Sequence, residues 1–291
     1  MPVGHTAGVR AYRDAVATLT EDDLSGHYTR GLTWFHERFA PKLRAVVERL
    51  SGGAWDLSRY RAFAAGSDVD MMAHVVEAAT DRRVALYPGD WYGFLVGSSR
   101  PGAISWSADG RADLACLCIP SVRNGHLTEE MSSFLEGADA CLLNLNLFPT
   151  LRAEERHAVA RRLSPVLSRS MLSISFSRGF GLTASQLGVL LVPDDHPWLA
   201  RLETQWSWFT YFYNAIAARA FLALDLDEVS RGDDARRVWV DRWLRERDLP
   251  SLSTGSYYVR SFRPEGALPS HLAPLSRDGV VRLCFKPPAV L

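Results

Sequence analysis

The stretch Ser175–Gly188, SFSRGFGLTASQLG, holds the most specific combination of residues in the chain. Two serines and a phenylalanine precede Arg178, and a segment containing glycine follows it. The runs on either side, Leu172–Phe176 and Val189–Val192, are short and apolar, which indicates two strands. Apolar runs without alternation are typical of parallel strands buried on both faces. The stretch is therefore predicted to connect two strands of such a sheet.

Short apolar strands alternate with helices over residues 60–197, which predicts a three-layer αβα domain with a mostly parallel sheet. Ser67 and Asp70 have the spacing of a capping box, so a helix is expected to begin there. The other predicted strands are Arg83–Tyr87, Leu114–Ile119 and Ala140–Leu145, and the predicted helices are Val69–Ala79, Thr128–Leu135 and a segment capped by Thr150 that runs to about Leu167.

Residues 1–59 and 198–291 are predicted to form N-terminal helices and a smaller C-terminal α+β domain. The aromatic segment Trp206–Tyr213 predicts a helix buried between domains or subunits. The helix predicted over Asp233–Arg247 alternates arginine with acidic residues, so we expect it to present a solvated face. Strands are expected at Ser256–Ser261 and Val280–Phe285.

The charges of the 291 residues balance, with 33 Lys and Arg against 33 Asp and Glu, which disfavours nucleic acid and membrane surfaces as partners. The four cysteines lie in apolar runs without zinc-type spacing, so we expect buried side chains in a reduced, cytoplasmic protein. No signal-peptide pattern and no apolar run long enough to span a bilayer is present. Lys42 and Lys286 are the only lysines beside 31 arginines, so amine chemistry has few possible donors.

Ser175–Gly188 resembles the cofactor-lysine signature of the class I/II aminotransferases, the fold-type I enzymes that depend on pyridoxal phosphate (PLP). Three further segments resemble the same family in the same order. Ala65–Asp68 is similar to the Gly-Ser turn that holds the PLP phosphate at a helix N-terminus. Asn144–Thr150, NLNLFPT, is similar to the Asn-Pro-x-Asn-Pro-Thr segment, and Val281–Leu283 to the strand whose arginine holds the substrate α-carboxylate.

The resemblance implies a role for several residues. Trp91 or Tyr92 would stack on the pyridine ring, Asn146 or Asn144 would contact the cofactor hydroxyl, and Arg282 would bind the carboxylate. The implied cofactor pocket consists of Gly66, Ser67, Asp68, Ser175, Ser177 and Gln186.

Three features depart from the family pattern. Arg178 stands where the lysine would form the Schiff base, and a guanidinium with a pKa above ~12 is a poor nucleophile. Gln186 replaces the arginine that would bind the phosphate. The 32 positions from Asn146 to Arg178 leave room for one helix and one strand and contain no Asp after Thr150, so the family's Asp-x-x-Tyr strand is predicted to be deleted. That Asp would protonate the pyridine nitrogen. We therefore expect that no PLP is used.

Arg178 and Arg282 are both predicted to face the former cofactor cleft, where two guanidinium groups would suit a carboxylate, dicarboxylate or phosphate. The alternative for Arg178 is an ion pair with a neighbouring carboxylate. His126, in a loop after a glycine, is either a general base or a solvent-exposed side chain. The histidines show no spacing typical of metal ligands.

Three functions are compatible with these patterns. The first is a PLP-independent enzyme that acts on an amino-acid-like or other carboxylated small molecule, in specialised biosynthesis, with a homodimer as the expected assembly. The second is a non-catalytic pseudoenzyme that binds a metabolite or partners an active relative. The third is a PLP-dependent aminotransferase that uses Lys42 or Lys286.

Overall fold

The computed structural model describes residues 5–21, 28–79, 81–90, 104–106, 111–183, 187–206, 215–249, 255–264, 266–268, 270, 273, 276–277 and 279–285. The helices are α1 (Thr6–Ala17), α2 (Tyr28–Trp34), α3 (Ala40–Leu50), α4 (Asp68–Ala78), α5 (Glu129–Glu136), α6 (Ala153–Leu167), α7 (Leu199–Trp206), α8 (Ala215–Ala223) and α9 (Leu226–Arg245), and a π-helix, Phe35–Phe39, joins α2 to α3. The strands are β1 (Tyr60–Ala65), β2 (Val84–Leu86), β3 (Ile104–Trp106), β4 (Leu114–Cys118), β5 (Ala140–Asn144), β6 (Ser170–Ser175), β7 (Gly188–Pro193), β8 (Val259–Phe262), β9 (Ser276–Arg277) and β10 (Val280–Cys284).

Within the described residues, seven strands form one sheet in the order β1-β7-β6-β5-β4-β2-β3. Neighbours from β6 to β3 are parallel, while β7 is antiparallel to both β6 and β1. β4, β5, β6 and β7 are buried along their whole length, as apolar runs covered on both faces require. The α/β class and the mostly parallel sheet are thereby confirmed.

Two apolar clusters cover the two faces of the large sheet. One joins α1, α3, α6 and α8 to the sheet, and the rings of Phe39, Phe176 and Phe221 meet at its centre with centroids 4.9–5.7 Å apart. The other joins α4, α7 and α9 to the opposite face and includes Tyr257 and Val259 before and in β8. Each fully buried large apolar side chain contributes about 1.5–3 kcal/mol through burial. The helices before residue 60 therefore pack directly on the large sheet.

A second sheet is formed by β8, β10 and β9, with both pairs antiparallel. It contacts the loop that follows β4. Gly125 donates its N–H to Ser121 O and accepts a hydrogen bond from Ser256 N at 3.0 Å. A Cβ at Gly125 would come within 2.6 Å of Val259 O, so this close approach requires glycine. The small sheet and the loop after β4 are thus joined through their backbones.

Several boundaries and orientations differ from the sequence predictions. The strand over Val189–Val192 is antiparallel to its neighbour, because apolar composition reports burial and not direction. Thr150 does not cap α6: it lies in a 3₁₀ turn, and Arg152 is the N-cap. The Thr150 hydroxyl contacts Ser256 Oγ at 2.6 Å. The predicted strand Ser256–Ser261 is shorter and shifted, since residues 257 and 258 form a turn.

The charged helix has the predicted solvated face, but several of its charged residues are buried. In α9, Asp233, Arg236 and Arg237 are buried, each with 5% or less of its surface exposed. Arg237 donates to Gly255 O at 2.9 Å and to Thr150 O at 2.6 Å, so its burial is matched by hydrogen bonds to carbonyls. Alternating charge in the sequence did not reveal these distant acceptors.

Three of the four cysteines are buried, as predicted. Cys116, Cys118 and Cys141 are buried in the large sheet, while Cys284 is exposed at the end of β10. Among the described residues no helix has the length and apolar character needed to cross a membrane.

Candidate functional site

A cavity of about 870 Å³ lies between the small sheet and the loops that follow β2 and β4. Arg282 on β10 contributes to its wall and donates from Nη1 to Val122 O at 2.9 Å. Arg282 pairs with Ser261 across the small sheet, and Ser261 also faces the cavity. The described residues around it are Tyr87, Gly89, Arg123, Asn124, His126, Thr128, Glu130, Met131, Ser261, Arg263, Val280, Arg282, Leu283 and Cys284.

Asp90, which follows β2, holds the loop after β4 in place. Its carboxylate accepts hydrogen bonds from Cys118 N at 2.7 Å, Ser121 Oγ at 3.1 Å and Val122 N at 3.2 Å. The side chain is fully buried, and this desolvation raises the pKa of Asp90 although the hydrogen bonds oppose the effect. The loop that accepts the Arg282 hydrogen bond is therefore fixed by a buried carboxyl group.

Arg123 extends from the same loop along the cavity wall. Its Nη1 donates to Pro88 O at 3.0 Å. Gly89 has a φ of +84°, and a Cβ there would come within 3.0 Å of Arg123 Cδ, so glycine makes room for the arginine stem. A hydrogen bond to the backbone thus helps to position this guanidinium group at the cavity.

The opposite part of the wall carries an acid and a neutral histidine. Tyr87 is buried against Phe134, and burial together with its hydrogen bond to Glu130 raises the pKa of Tyr87 to about 12. Burial lowers the pKa of His126, and its Nδ1 is buried without a hydrogen-bond partner among the described residues. His126 is half-buried and lines the cavity, so it is not the freely exposed loop residue that the sequence left open.

The Gly66–Ser67 turn, which was predicted to bind a phosphate, is hydrogen-bonded to the side chain of Asp70 on the helix that follows it. Ser67 Oγ accepts a hydrogen bond from Asp70 N and donates one to Asp70 Oδ2 at 2.8 Å, as the spacing of the two residues predicts. A Cβ on Gly66 would lie 2.7 Å from Asp70 Oδ2. The carboxylate therefore covers the turn where an anion would be expected. Asp68 begins α4, and its side chain lies outside the described set.

A pair of polar side chains lies at the carboxyl ends of β5 and β6. Ser175 Oγ donates to Asn146 Oδ1 at 2.5 Å, and both residues are buried. Asn144 Oδ1 accepts from Asn146 N at 3.0 Å. Asn144 Nδ2 and Ser173 Oγ, on paired residues, are buried without hydrogen-bond partners among the described residues. The structure thus brings Asn144, Asn146 and Ser175 together, but none of them lines the large cavity.

Arg178 follows β6 and is half-buried beside Ser177. It acts electrostatically on Tyr258, whose pKa is raised by burial, with the Arg178 charge lowering it in part. Tyr258 stacks on Tyr257 at 4.5 Å, and the Tyr257 hydroxyl donates to Asp233 Oδ1 at 2.5 Å. Arg178 is not among the described residues that line the cavity with Arg282. The two arginines predicted to share one cleft thus have different surroundings.

The remaining predicted residues contribute less to the site. Lys42 is on α3, where its Nζ donates to Leu222 O, and burial lowers the pKa of Lys42. It lines a separate depression together with residues near Asp225. Trp91, Tyr92, Gln186, Lys286 and most of the aromatic segment 206–213 lie outside the described residues.

The sequence did not identify Asp90, Arg123, Arg263 and Glu130. Their only signal was position, since Asp90 and Arg123 follow strand ends and Glu130 is in the first turn of a helix. No group of three or more His, Cys, Asp and Glu in the described part of the chain could hold a metal ion.

No family model and no curated protein sequence matches the chain. Several solved structures do match it. The apo structure of BacF from Bacillus subtilis aligns with a TM-score of 0.72 and 12% identity over 99% of this chain and 88% of BacF. N-succinyldiaminopimelate aminotransferase from Mycobacterium tuberculosis gives a TM-score of 0.68 and 15% identity over 97% and 86% of the two chains.

Histidinol-phosphate aminotransferase from Sinorhizobium meliloti, solved in complex with pyridoxal-5'-phosphate, gives a TM-score of 0.61 and 15% identity over 90% of this chain and 72% of that one. The chain therefore has the fold of the fold-type I aminotransferases, as the sequence resemblance implied.

Proposed function

We propose that this chain is a PLP-independent member of the aminotransferase fold that acts on a carboxylated, amino-acid-like small molecule in specialised biosynthesis. The observation that carries the proposal is the cavity of about 870 Å³ whose wall includes Arg282, Arg123 and Arg263. Ligand sites typically have volumes of 300–1,000 Å³ and a few convergent polar groups. Guanidinium groups bind carboxylates through paired hydrogen bonds.

The described residues do not fit PLP. A phosphate bound at the Gly66–Ser67 turn would meet the Asp70 carboxylate, which already accepts the Ser67 hydroxyl hydrogen bond. The phosphate and the carboxylate are both negatively charged, so they would repel each other. Arg178 has no amine that loses its proton at neutral pH. Lys42 donates a hydrogen bond to Leu222 O in another part of the fold.

The sheet also supports a different assignment of the family's motifs to this chain, in which no strand is deleted. β4, β5 and β6 are adjacent and parallel, so their carboxyl ends share one edge. We infer that the loop after β4, which contains Pro120, corresponds to the Asn-Pro-Thr segment and that β5 corresponds to the Asp-x-x-Tyr strand. Asn144 then stands where the Asp would be, and a neutral amide cannot hold a pyridinium proton. Either assignment leaves PLP without its charged partner.

The cavity favours a catalytic protein over the non-catalytic alternative. Its wall combines three arginines with His126, whose lowered pKa keeps the imidazole neutral and able to accept a proton at neutral pH. In this proposal Arg282 binds and orients the ligand carboxylate, and His126 is the candidate proton acceptor. A homodimer remains the expected assembly.

Absorbance spectroscopy and thermal shifts test the proposal. We expect no new visible band on mixing the full chain with PLP and no labelled lysine after borohydride reduction. Glutamate and 2-oxoglutarate should raise the melting temperature of the wild type and of Arg245→Gln, whose side chain is exposed on α9, but not that of Arg282→Gln. A PLP-labelled lysine would contradict the proposal, and so would equal stabilisation of Arg282→Gln.

A further inference from the structure

We propose that the cavity binds a small molecule with two separate oxyanion groups, a dicarboxylate or a phosphorylated carboxylate, and that Arg263 and Arg123 bind the second group. This inference rests on the proposed function, because Arg282 keeps its role at the first carboxylate. It follows from the arrangement of charges on the cavity wall.

The small sheet and the residue after β8 bring two arginines to the cavity wall. Arg282 pairs with Ser261, and Arg263 lies two residues beyond Ser261 in the same chain segment. Arg263 directly follows the end of β8, and Ser261, Arg263 and Arg282 all line the cavity. Diagonal neighbours across an antiparallel pair are about 7–8 Å apart. This is a distance between backbone positions, and the long side chains leave room for the two guanidinium groups to bind separate anionic groups on one ligand.

The charge of the wall also matches a doubly charged anion. Among the described lining residues, three arginines face one glutamate, which leaves a formal excess of two positive charges. His126 adds no charge at neutral pH because burial lowers its pKa, and Tyr87 stays protonated because its pKa is raised to about 12. A ligand with a single carboxylate would leave one positive charge uncompensated.

The guanidinium groups differ in how firmly they are held. Arg282 and Arg123 each donate to a backbone carbonyl, Val122 O and Pro88 O, and these acceptors belong to the loops around Asp90. Arg263 is exposed and has no hydrogen bond or ion pair with another described residue. Two positioned groups and one exposed group therefore surround the same space. Arg263 is the residue whose substitution is least expected to disturb the fold.

Three probes of similar length separate the possibilities: hexanoate, adipate and 6-phosphonohexanoate. They are titrated into the full chain by calorimetry at low ionic strength. We expect adipate or 6-phosphonohexanoate to bind at least about tenfold more tightly than hexanoate, since hydrogen bonds to charged groups are stronger than neutral ones. The tighter of the two doubly charged probes identifies the second group as a carboxylate or as a phosphate-like group.

Variants assign the two ends of the ligand. Arg263→Gln should reduce the affinity for adipate and 6-phosphonohexanoate to that for hexanoate and leave hexanoate binding unchanged. Arg282→Gln should weaken all three probes, and the exposed control Arg245→Gln should weaken none. Arg123→Gln should weaken the doubly charged probes selectively.

Two outcomes would overturn the inference, and they are distinguishable. If hexanoate binds as tightly as the doubly charged probes and still depends on Arg282, the second-anion site is wrong while the proposed function stands. If no probe binds, or Arg282→Gln has no effect on any of them, both the inference and the carboxylate-binding function fail.

Discussion

Nε2 of His5 lies 2.9 Å from Oδ1 of Asp233, and both side chains are buried. The contact joins the N-cap of α1 to the middle of α9, two helices from opposite ends of the sequence. Gly181 and Gly232 lie against the imidazole, and a Cβ on Gly232 would come within 2.7 Å of His5 Nδ1. Gly181 belongs to the loop after Arg178. The N-terminal helix is therefore attached to the loop that follows Arg178.

Gly181→Ala should destabilise this attachment. Gly181 has a φ of +69°, and its Cβ would overlap the His5 ring, so the variant combines backbone strain with a clash. Gly53→Ala is the matched control, because Gly53 has a φ of +76° and open space around it. In urea unfolding, the free energy of unfolding should fall by about 1 kcal/mol for the control, from backbone strain alone. It should fall clearly further for Gly181→Ala. Equal losses would mean that the His5 ring moves aside without cost.

Removing the charge of Asp90 should change the pH dependence of stability. Burial raises the pKa of Asp90 in the folded protein above its ordinary value of 3.8. Between these two values the folded state binds more protons than the unfolded state, so the free energy of unfolding falls as pH rises. The contribution is present below pH 3.8 and is lost as pH rises through the folded pKa.

Asp90→Asn is therefore expected to lose less stability than the wild type between pH 4 and pH 7, measured by urea unfolding at a series of pH values. The amide nitrogen of the variant cannot accept the hydrogen bonds from Cys118 N or Val122 N, so its overall stability should be lower. Parallel pH profiles for the two proteins would show that the carboxyl group titrates normally.

The buried Arg237 of α9 should contribute far more to stability than the exposed arginines of the same helix. Arg237→Met removes hydrogen bonds to Gly255 O and Thr150 O and leaves two carbonyls without that donor. We expect a loss of about 2–5 kcal/mol in the free energy of unfolding. Arg245→Met on the exposed side of the same helix should change it by less than about 0.5 kcal/mol. Similar small effects for both would place Arg237 in solvent.

Glu130→Gln should strengthen anion binding in the cavity. The substitution removes the one negative charge among the described lining residues and raises the formal excess to three positive charges. Because Glu130 is exposed, water screens it, and we expect the affinity for adipate to rise only about two- to fivefold. The gain should fade with added salt. Glu129→Gln, in the same helical turn but away from the cavity wall, is the control, and an equal gain there would indicate a general field effect.

The sequence predicted those features that depend on local pattern. Apolar runs located the buried strands β4, β5 and β6, and the spacing of Ser67 and Asp70 located the start of α4. The direction of β7 could not be predicted, because apolar composition is the same in either orientation. Nor could the cavity, since Arg123, Arg263 and Glu130 come from segments that only the tertiary fold brings together. The burial of Arg237 depends on carbonyl acceptors at positions 150 and 255.

The pairing of β1 with β7 has a consequence for synthesis of the chain on the ribosome. Each residue of β1 pairs with one more than 120 positions later, from Ala65 with Gly188 to Tyr60 with Pro193. At about 5–20 residues per second, β1 waits on the order of ten seconds for its partner to be translated. During that interval its unpaired backbone is an open strand edge, and such edges pair readily with other chains. Expression at a slower translation rate is therefore expected to increase misassembly through residues 60–65.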